Sequence, residues 1–177
     1  MDGSDVLSFW FGQDRKAWFE KNPAFDEEIR RRFLSLFELG ASGKLEDWKN
    51  SSADCLALVI LLDQFPRNMF RSSLHAFSGD PLALEAARHL VAADYDKRMS
   101  ADERMFAYLP FEHSESLADQ ERSCELMQPL GEEPYRYAVR HREIIGRFGR
   151  FPHRNAALGR ESTPEEIEFL KQPGSGF

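Results

Sequence analysis

Cys55-Leu56-Ala57-Leu58-Val59-Ile60-Leu61-Leu62, bounded by Asp54 and Asp63, decides the fold. At helical spacing these eight residues are apolar all the way round, which marks a helix buried on every side and therefore a central element. The run is the longest apolar stretch in the chain, yet a membrane-spanning helix needs roughly 20 such residues. It is a core helix, and no membrane partner is expected.

The flanking sequence supplies the helices that cover it. Ser4 or Asp5 can cap a short helix through Phe11 that presents Val6, Phe9 and Trp10, and a second short turn holds Trp18 and Phe19. Asn22-Pro23 reads as N-cap and first helical residue, followed by a stripe of Phe25, Ile29, Phe33, Leu36 and Phe37. On the other side, Asp80-Pro81 starts a helix to about Asp94, with Leu84, Ala87, Leu90 and Val91 on one face. Ser100 caps a helix through Tyr108, where Pro110 disfavours helical continuation at Leu109. Ser114 or Ser116 begins another to about Met127, and Glu132-Glu133-Pro134 opens a longer one to Phe148. Thr163-Pro164-Glu165-Glu166 joins an N-cap, a first-turn proline and a capping-box glutamate, which predicts a last helix from Pro164 to about Lys171.

No strand-like alternation flanked by hairpin turns occurs, and the linkers are short. The expected fold is all-α, a single-domain stack of antiparallel helix pairs over residues 1–172, with 173–177 a disordered tail. The 177 residues suffice for a real core, since a compact chain of this mass buries about 70% of its unfolded surface. A hydrophobic content of 42% beside 30% charged residues excludes a disordered chain. The acidic start, Met1-Asp2-Gly3-Ser4-Asp5, lacks the basic beginning of a secretory signal, so a soluble, cytoplasmic protein is expected. Cys55 and Cys124 both fall in apolar helical patterns and read as core thiols.

Charge is unevenly distributed. The net charge is −7, but residues 136–160 hold seven arginines against one acid, Glu143, a local +6 that leaves −13 for the remainder. A globally acidic chain is a poor nucleic-acid binder, because that affinity comes from phosphate neutralisation by a basic surface. Arginine outnumbers lysine 17 to 6, and the guanidinium fork suits bidentate carboxylate pairing, so an internal lattice of ion pairs is one reading of this charge.

Three polar blocks carry the candidate chemistry. Asp63-Gln64-Phe65-Pro66-Arg67-Asn68-Met69-Phe70-Arg71 follows the apolar run, so Asp63 must pair with Arg67 or Arg71 or else take a raised pKa. Arg67, Asn68 and Arg71 either fix a helix junction or grip an anion. In Pro110-Phe111-Glu112-His113-Ser114-Glu115, His113 lies between two acids, an arrangement suited to acid/base work. Metal-binding helix signatures are absent at every histidine, and neither a metal nor a cofactor is expected. In Arg147-Phe148-Gly149-Arg150-Phe151-Pro152-His153-Arg154-Asn155, continuing to Arg160, the alternation of Arg and Phe either cradles an anion or plugs the core while arginines bridge helix ends. His141 shares a helical face with Tyr137, Ile144 and Phe148 and reads as a hydrogen-bonded core histidine. Phe65-Pro66-Arg67-Asn68 and Phe151-Pro152-His153-Arg154-Asn155 echo each other.

These blocks, with Phe9-Trp10-Phe11-Gly12 and Leu158-Gly159-Arg160-Glu161-Ser162-Thr163, closely resemble the bacterial domain of unknown function 924 family over nearly the whole chain. The resemblance implies an all-helical fold similar to the tetratricopeptide-like αα superhelix, and no reaction. Two functional readings follow from the residues. One is a binding or scaffold module whose Arg67, Asn68, Arg71, Arg150, His153, Arg154, Asn155 and Arg160 take an anionic small molecule or peptide. The other is an enzyme in which His113 or His153 acts as acid/base, Asp63 or Glu115 orients it, and arginines stabilise negative charge on a phosphorylated or carboxylated substrate.

Overall fold

A computed structural model describes residues 2–176. Among them the chain forms eight α-helices joined by short connections and 3-10 turns, and no strand. These are α1 (Gly3–Phe11), α2 (Pro23–Ala41), α3 (Ser52–Met69), α4 (Asp80–Ala92), α5 (Ala101–His113), α6 (Leu117–Met127), α7 (Glu132–Phe148) and α8 (Pro164–Leu170). The all-α class read from the sequence is the observed one. The chain divides into two compact units, one of residues up to Arg71 with His75–Pro110, the other of Ser72–Leu74 with residues from Phe111 on.

In the first unit α3 is central. Every residue from Cys55 to Pro66 is buried, as all-round apolarity requires, and α1, α2 and α4 pack against the helix. The α2 contact is antiparallel, since Asp26 meets Asn68 and Arg71 while Gly40 lies against Leu61 and Leu62. The α4 contact is antiparallel too, with the Cys55 thiol at the Ala86 carbonyl and Arg67 on Asp80. Rings from four segments fill the gaps. Trp10, fully buried, packs edge-on to Phe106 at 5.3 Å and against Phe65 at 5.7 Å, while Phe33 meets Phe65 at 4.8 Å. Both cysteines are free and buried, and burial pushes the Cys55 thiol up to about 11.

Sequence capping signals hold at most ends. Asn22 caps α2 ahead of Pro23, and Thr163 and Glu166 form the capping box of α8. At α1 the cap is Asp2 rather than Ser4 or Asp5, because the Asp2 carboxylate accepts both Ser4 N–H and Asp5 N–H while Asp5 answers the Asp2 N–H. The prolines differ more. α3 continues through Pro66 to Met69, so the block expected to follow the apolar helix is its last two turns. α5 likewise runs through Pro110 to His113 instead of stopping near Tyr108. A helix-interior proline removes one hydrogen bond and costs about 3 kcal/mol, so each helix needs compensation from elsewhere.

At α3 the carbonyl freed by Pro66 lies in a tight packing contact. Pro66 has no N–H to offer the Leu62 carbonyl, and Gly79 approaches there so closely that a Cβ would lie 2.2 Å from the Leu62 oxygen. Only glycine fits this approach, whatever its φ. In the second unit α6 packs against α7 across a four-residue connection, and Ile144, Ile145 and Phe151 form a core with Phe148 and Phe169 against it. Phe177 lies outside the described residues; in the segment expected to be a disordered tail, the Gly174 carbonyl accepts from Arg140 at 2.5 Å and Ser175 Oγ donates to the Leu170 carbonyl at 3.1 Å.

Substituting Gly79→Ala should therefore destabilise the fold by about 1–3 kcal/mol, the usual cost of forced overpacking. Urea unfolding monitored by far-UV circular dichroism measures this, and an unchanged midpoint contradicts the close approach.

Candidate functional site

The first polar block is engaged within the first unit. The Arg67 guanidinium reaches Asp80 through two bonds, at 2.7 and 3.0 Å, donates to the Asp63 carbonyl at 2.7 Å, and lies 3.3 Å from the Asp63 carboxylate. Burial alone would lower the Arg67 pKa, but the charges of Asp63 and Asp80 and the Asp80 hydrogen bonds outweigh it and raise it. Arg71 grips Asp26 bidentately at 2.5 and 2.8 Å, and Asn68 donates to the same carboxylate at 2.8 Å. These contacts give Asp63, with a side chain 1% exposed, the cation that its burial demands.

The second and third blocks meet in the second unit. The Glu115 carboxylate accepts a bidentate pair from Arg160 at 2.7 and 2.9 Å and the Phe151 N–H at 2.8 Å. Burial would push its pKa up, but these bonds and the charges of Arg160 and Arg154 hold it below the usual carboxylate range. Arg150 binds Glu166 at 2.6 and 2.7 Å, and Asn155 donates to the same carboxylate at 3.2 Å. The Arg150 hydrogen bonds, with help from Thr163 N–H, bring Glu166 down to about 2. Arg160 also donates to Asn155 Oδ1 at 3.0 Å and to the Phe151 carbonyl at 3.1 Å.

Arg154 closes the end of α5. Its Nη1 donates to the His113 carbonyl at 3.0 Å, and its guanidinium lies 4.5 Å from the Phe151 ring centre. Gln120, from α6, donates to the carbonyls on either side, Glu112 at 2.6 Å and Ser114 at 2.7 Å, with a longer contact to Phe111 at 3.5 Å. The last carbonyls of a helix have no partners of their own, and a cation is favoured there. Their capture by Gln120 and Arg154 is the compensation that lets α5 run past Pro110.

Around this end the histidines gather. The rings of His113 and His141 lie 6.5 Å apart, His141 meets Phe151 edge-on at 5.6 Å, and the tilted ring of His153 lies 5.6 Å from Phe151. His141 is buried, as its core-facing position predicts, whereas His113 and His153 are partly exposed. His141 Nδ1 sits 2.8 Å from the Tyr137 carbonyl and 3.2 Å from Glu112 Oε1. A carbonyl only accepts, so Nδ1 carries the proton and Nε2 the lone pair. The geometry with Glu112 resembles an ion pair, but burial lowers the His141 pKa to about 3, helped by the positive charges of His113, Arg154 and His153. The Glu112 carboxyl thus lies 3.2 Å from a neutral imidazole whose Nδ1 proton goes to the Tyr137 carbonyl.

Sequence reading placed Glu112 beside His113 rather than His141 and did not single out Ser123. Glu112 lies against His141, and Gln120 and Ser123 are fully buried on α6. The available signal was spacing: Gln120, Ser123, Cys124 and Met127 share one helical face that is apolar only in its second half. The echoing Phe-Pro blocks do not share a conformation, since Pro66 is inside α3 and Pro152 starts a 3-10 turn. Among the described residues, no group of three or more His, Cys, Asp or Glu is arranged to hold a metal ion, and no helix is long and apolar enough to cross a membrane.

The family model described as a bacterial protein of unknown function, DUF924, matches residues 6–174. A solved structure of a protein of unknown function from Agrobacterium tumefaciens is 44% identical, covers 96% of each chain and superposes with a TM-score of 0.93. No curated protein matches the chain.

Two outcomes follow from these contacts. Arg67→Ala leaves Asp63 buried without its guanidinium and should cost about 3–5 kcal/mol, the usual loss on breaking a buried pair, measured by urea unfolding. Because the His141 pKa is about 3 in the folded chain against an ordinary 6.5, the unfolded chain takes up a proton between those values that the folded chain does not. Stability should fall as pH drops below about 6.5, by up to about 1.4 kcal/mol per pH unit, and His141→Gln should flatten the profile between pH 6.5 and 5. A wild-type profile already flat there contradicts a buried neutral His141.

Proposed function

The chain belongs to the bacterial DUF924 family of proteins of unknown function, and from that premise we propose that it is a binding module for a small anion, a phosphate or carboxylate, held by His113, His153 and Arg154. The observation that carries this reading is convergence. Two partly exposed imidazoles and a buried guanidinium, from segments some 40 residues apart in sequence, surround Phe151 and His141, and all three impose positive potential on His141. In a chain of net charge −7 such a concentration favours an anion. Loop and helix-end placement suits a ligand site held by a rigid scaffold.

The other arginines and asparagines of the expected ligand set take a supporting part in this proposal. Arg150, Asn155 and Arg160 fix the loop that carries His153 and Arg154, through Glu166 and Glu115. Arg67, Asn68 and Arg71 serve the end of α3 through Asp80 and Asp26.

An enzymatic reading draws on one further observation, the His141 imidazole held neutral with its Nδ1 proton directed to the Tyr137 carbonyl. A ring whose pKa is held at about 3 is a poor base, so the acid/base work on a phosphorylated or carboxylated substrate falls to His113 or His153, with His141 the neutral ring beside His113. Glu115, bound to Arg160, is then a charge partner rather than a proton carrier, and Asp63, held by Arg67 in the first unit, takes no part.

Inorganic phosphate tests the binding reading directly. At about 100 times its dissociation constant it should add about 2.7 kcal/mol of stability and raise the melting temperature by several degrees over a chloride control of matched ionic strength. The double variant His113→Ala, His153→Ala should lose that shift. No shift in the wild type, or one that persists in the variant, contradicts the assignment.

A further inference from the structure

The segment that follows α8 is tied down at three points within the second unit. The Gly174 carbonyl accepts from Arg140 Nη2 on α7 at 2.5 Å, and Ser175 Oγ donates to the Leu170 carbonyl at 3.1 Å. Gly176 then lies against His153: a Cβ on it would stand 3.6 Å from His153 Cβ and 3.9 Å from its Cγ, ordinary van der Waals contact. Residues 172–176 thus lead from the end of α8 to one of the two partly exposed imidazoles of the proposed anion site. Gly174 is the residue on which this path depends. Its φ of +73° is left-handed backbone that side chains disfavour, and a Cβ there would run into Arg140 Nη2. Another residue at 174 would strain the turn and displace the guanidinium that anchors it.

The edge of His153 that Gly176 approaches bears on ligand binding. Its Nδ1, bonded to that Cγ, is buried although the residue as a whole is partly exposed. A protonated imidazole donates from both nitrogens, so an anion that is to take both ring donors needs Nδ1 uncovered. The covering segment is lightly held. Gln172, Pro173, Gly174 and Gly176 are exposed and Ser175 is small, so the segment buries no large apolar side chain of its own. Segments with so little buried surface open locally at low free energy.

We infer that residues 172–176 form a strap that closes over His153 and opens to admit the anion, so that the segment regulates the site by competing with its ligand for that imidazole. This rests on the anion reading of His113, His153 and Arg154. A ligand that binds only the open form has its affinity reduced by the fraction of chains that are open. Chemical labelling of His153 follows the same fraction when opening and closing are fast against the reaction. Releasing the strap therefore raises both by one common factor, a relation that a tail with a purely structural role does not produce.

The double variant Gly174→Ala, Ser175→Ala releases both tethers and touches none of the three residues of the anion site. Carbethoxylation of the histidines by diethyl pyrocarbonate, read by peptide mass spectrometry, and calorimetric titration with inorganic phosphate compare it with the wild type. For a strap closed in about nine chains of ten, His153 should label about 10-fold faster in the variant and phosphate should bind about 10-fold more tightly, with the labelling of His75 and His89 unchanged. Equal labelling of His153 in the two chains overturns the strap, whatever phosphate does. Faster labelling with no gain in affinity, in a wild type that does bind phosphate, overturns the competition and leaves the anion reading standing. Phosphate binding by the variant alone supports both, and binding by neither chain overturns the strap's role and the anion reading together.

Discussion

A carboxylate taken out of water must meet a cation or give up its charge, and this requirement organises the chain. Asp63, on a helix buried on every side, holds Arg67, which in turn holds Asp80 at the first position of α4. Asp26, near the start of α2, collects Arg71 and Asn68 from the end of α3. Glu166, at the third position of α8, collects Arg150 and Asn155 in the same manner. In the last two cases a carboxylate in the first turn of a proline-initiated helix receives one arginine and one asparagine. The acid is stabilised by the helix N-terminus and the arginine by the acid, so each set ties a helix start to a distant segment.

The all-helical class was readable because the patterns that specify it are local. Residues 55–62 have no polar face to present to water, and the stripe of Phe25, Ile29, Phe33, Leu36 and Phe37 lies entirely in the core. The capping signals at Asn22-Pro23 and at Thr163 to Glu166 are local as well, and they act where they were expected. The tolerance of the two helix-interior prolines is not local, and so was not legible in the sequence. Pro66 survives beside Gly79, and Pro110 survives because α6 and the loop after α7 supply donors to the carbonyls beyond it. Those donors lie within about ten residues in one case and some 40 in the other, and no reading of α5 alone contains them.

The site was legible in its residue types and obscure in its pairings. Arginines following an apolar helix announce that something negative is near, but Arg67 and Arg71 meet different acids, Asp80 and Asp26, drawn from helices on either side of α3. Glu115 and His113 are two residues apart and have separate fates: the carboxylate is tied to Arg160, and the ring stands beside His141. Glu112 lies against His141 although nothing in the local sequence links them. What distinguishes the end of α5 is that His113, His141 and His153 gather near the Phe151 ring and the Arg154 guanidinium.

The account turns on whether that collection of rings is where an anion binds. The most direct measurement is a histidine side-chain nitrogen-15 NMR titration with inorganic phosphate, in which each imidazole reports its own surroundings. The account predicts that the resonances of His113 and His153 move together with a single dissociation constant, while His141 keeps the pattern of a neutral ring protonated at Nδ1. Resonances of His113 and His153 that stay fixed through the titration, or the same response from His75 and His89 in the first unit, would contradict it.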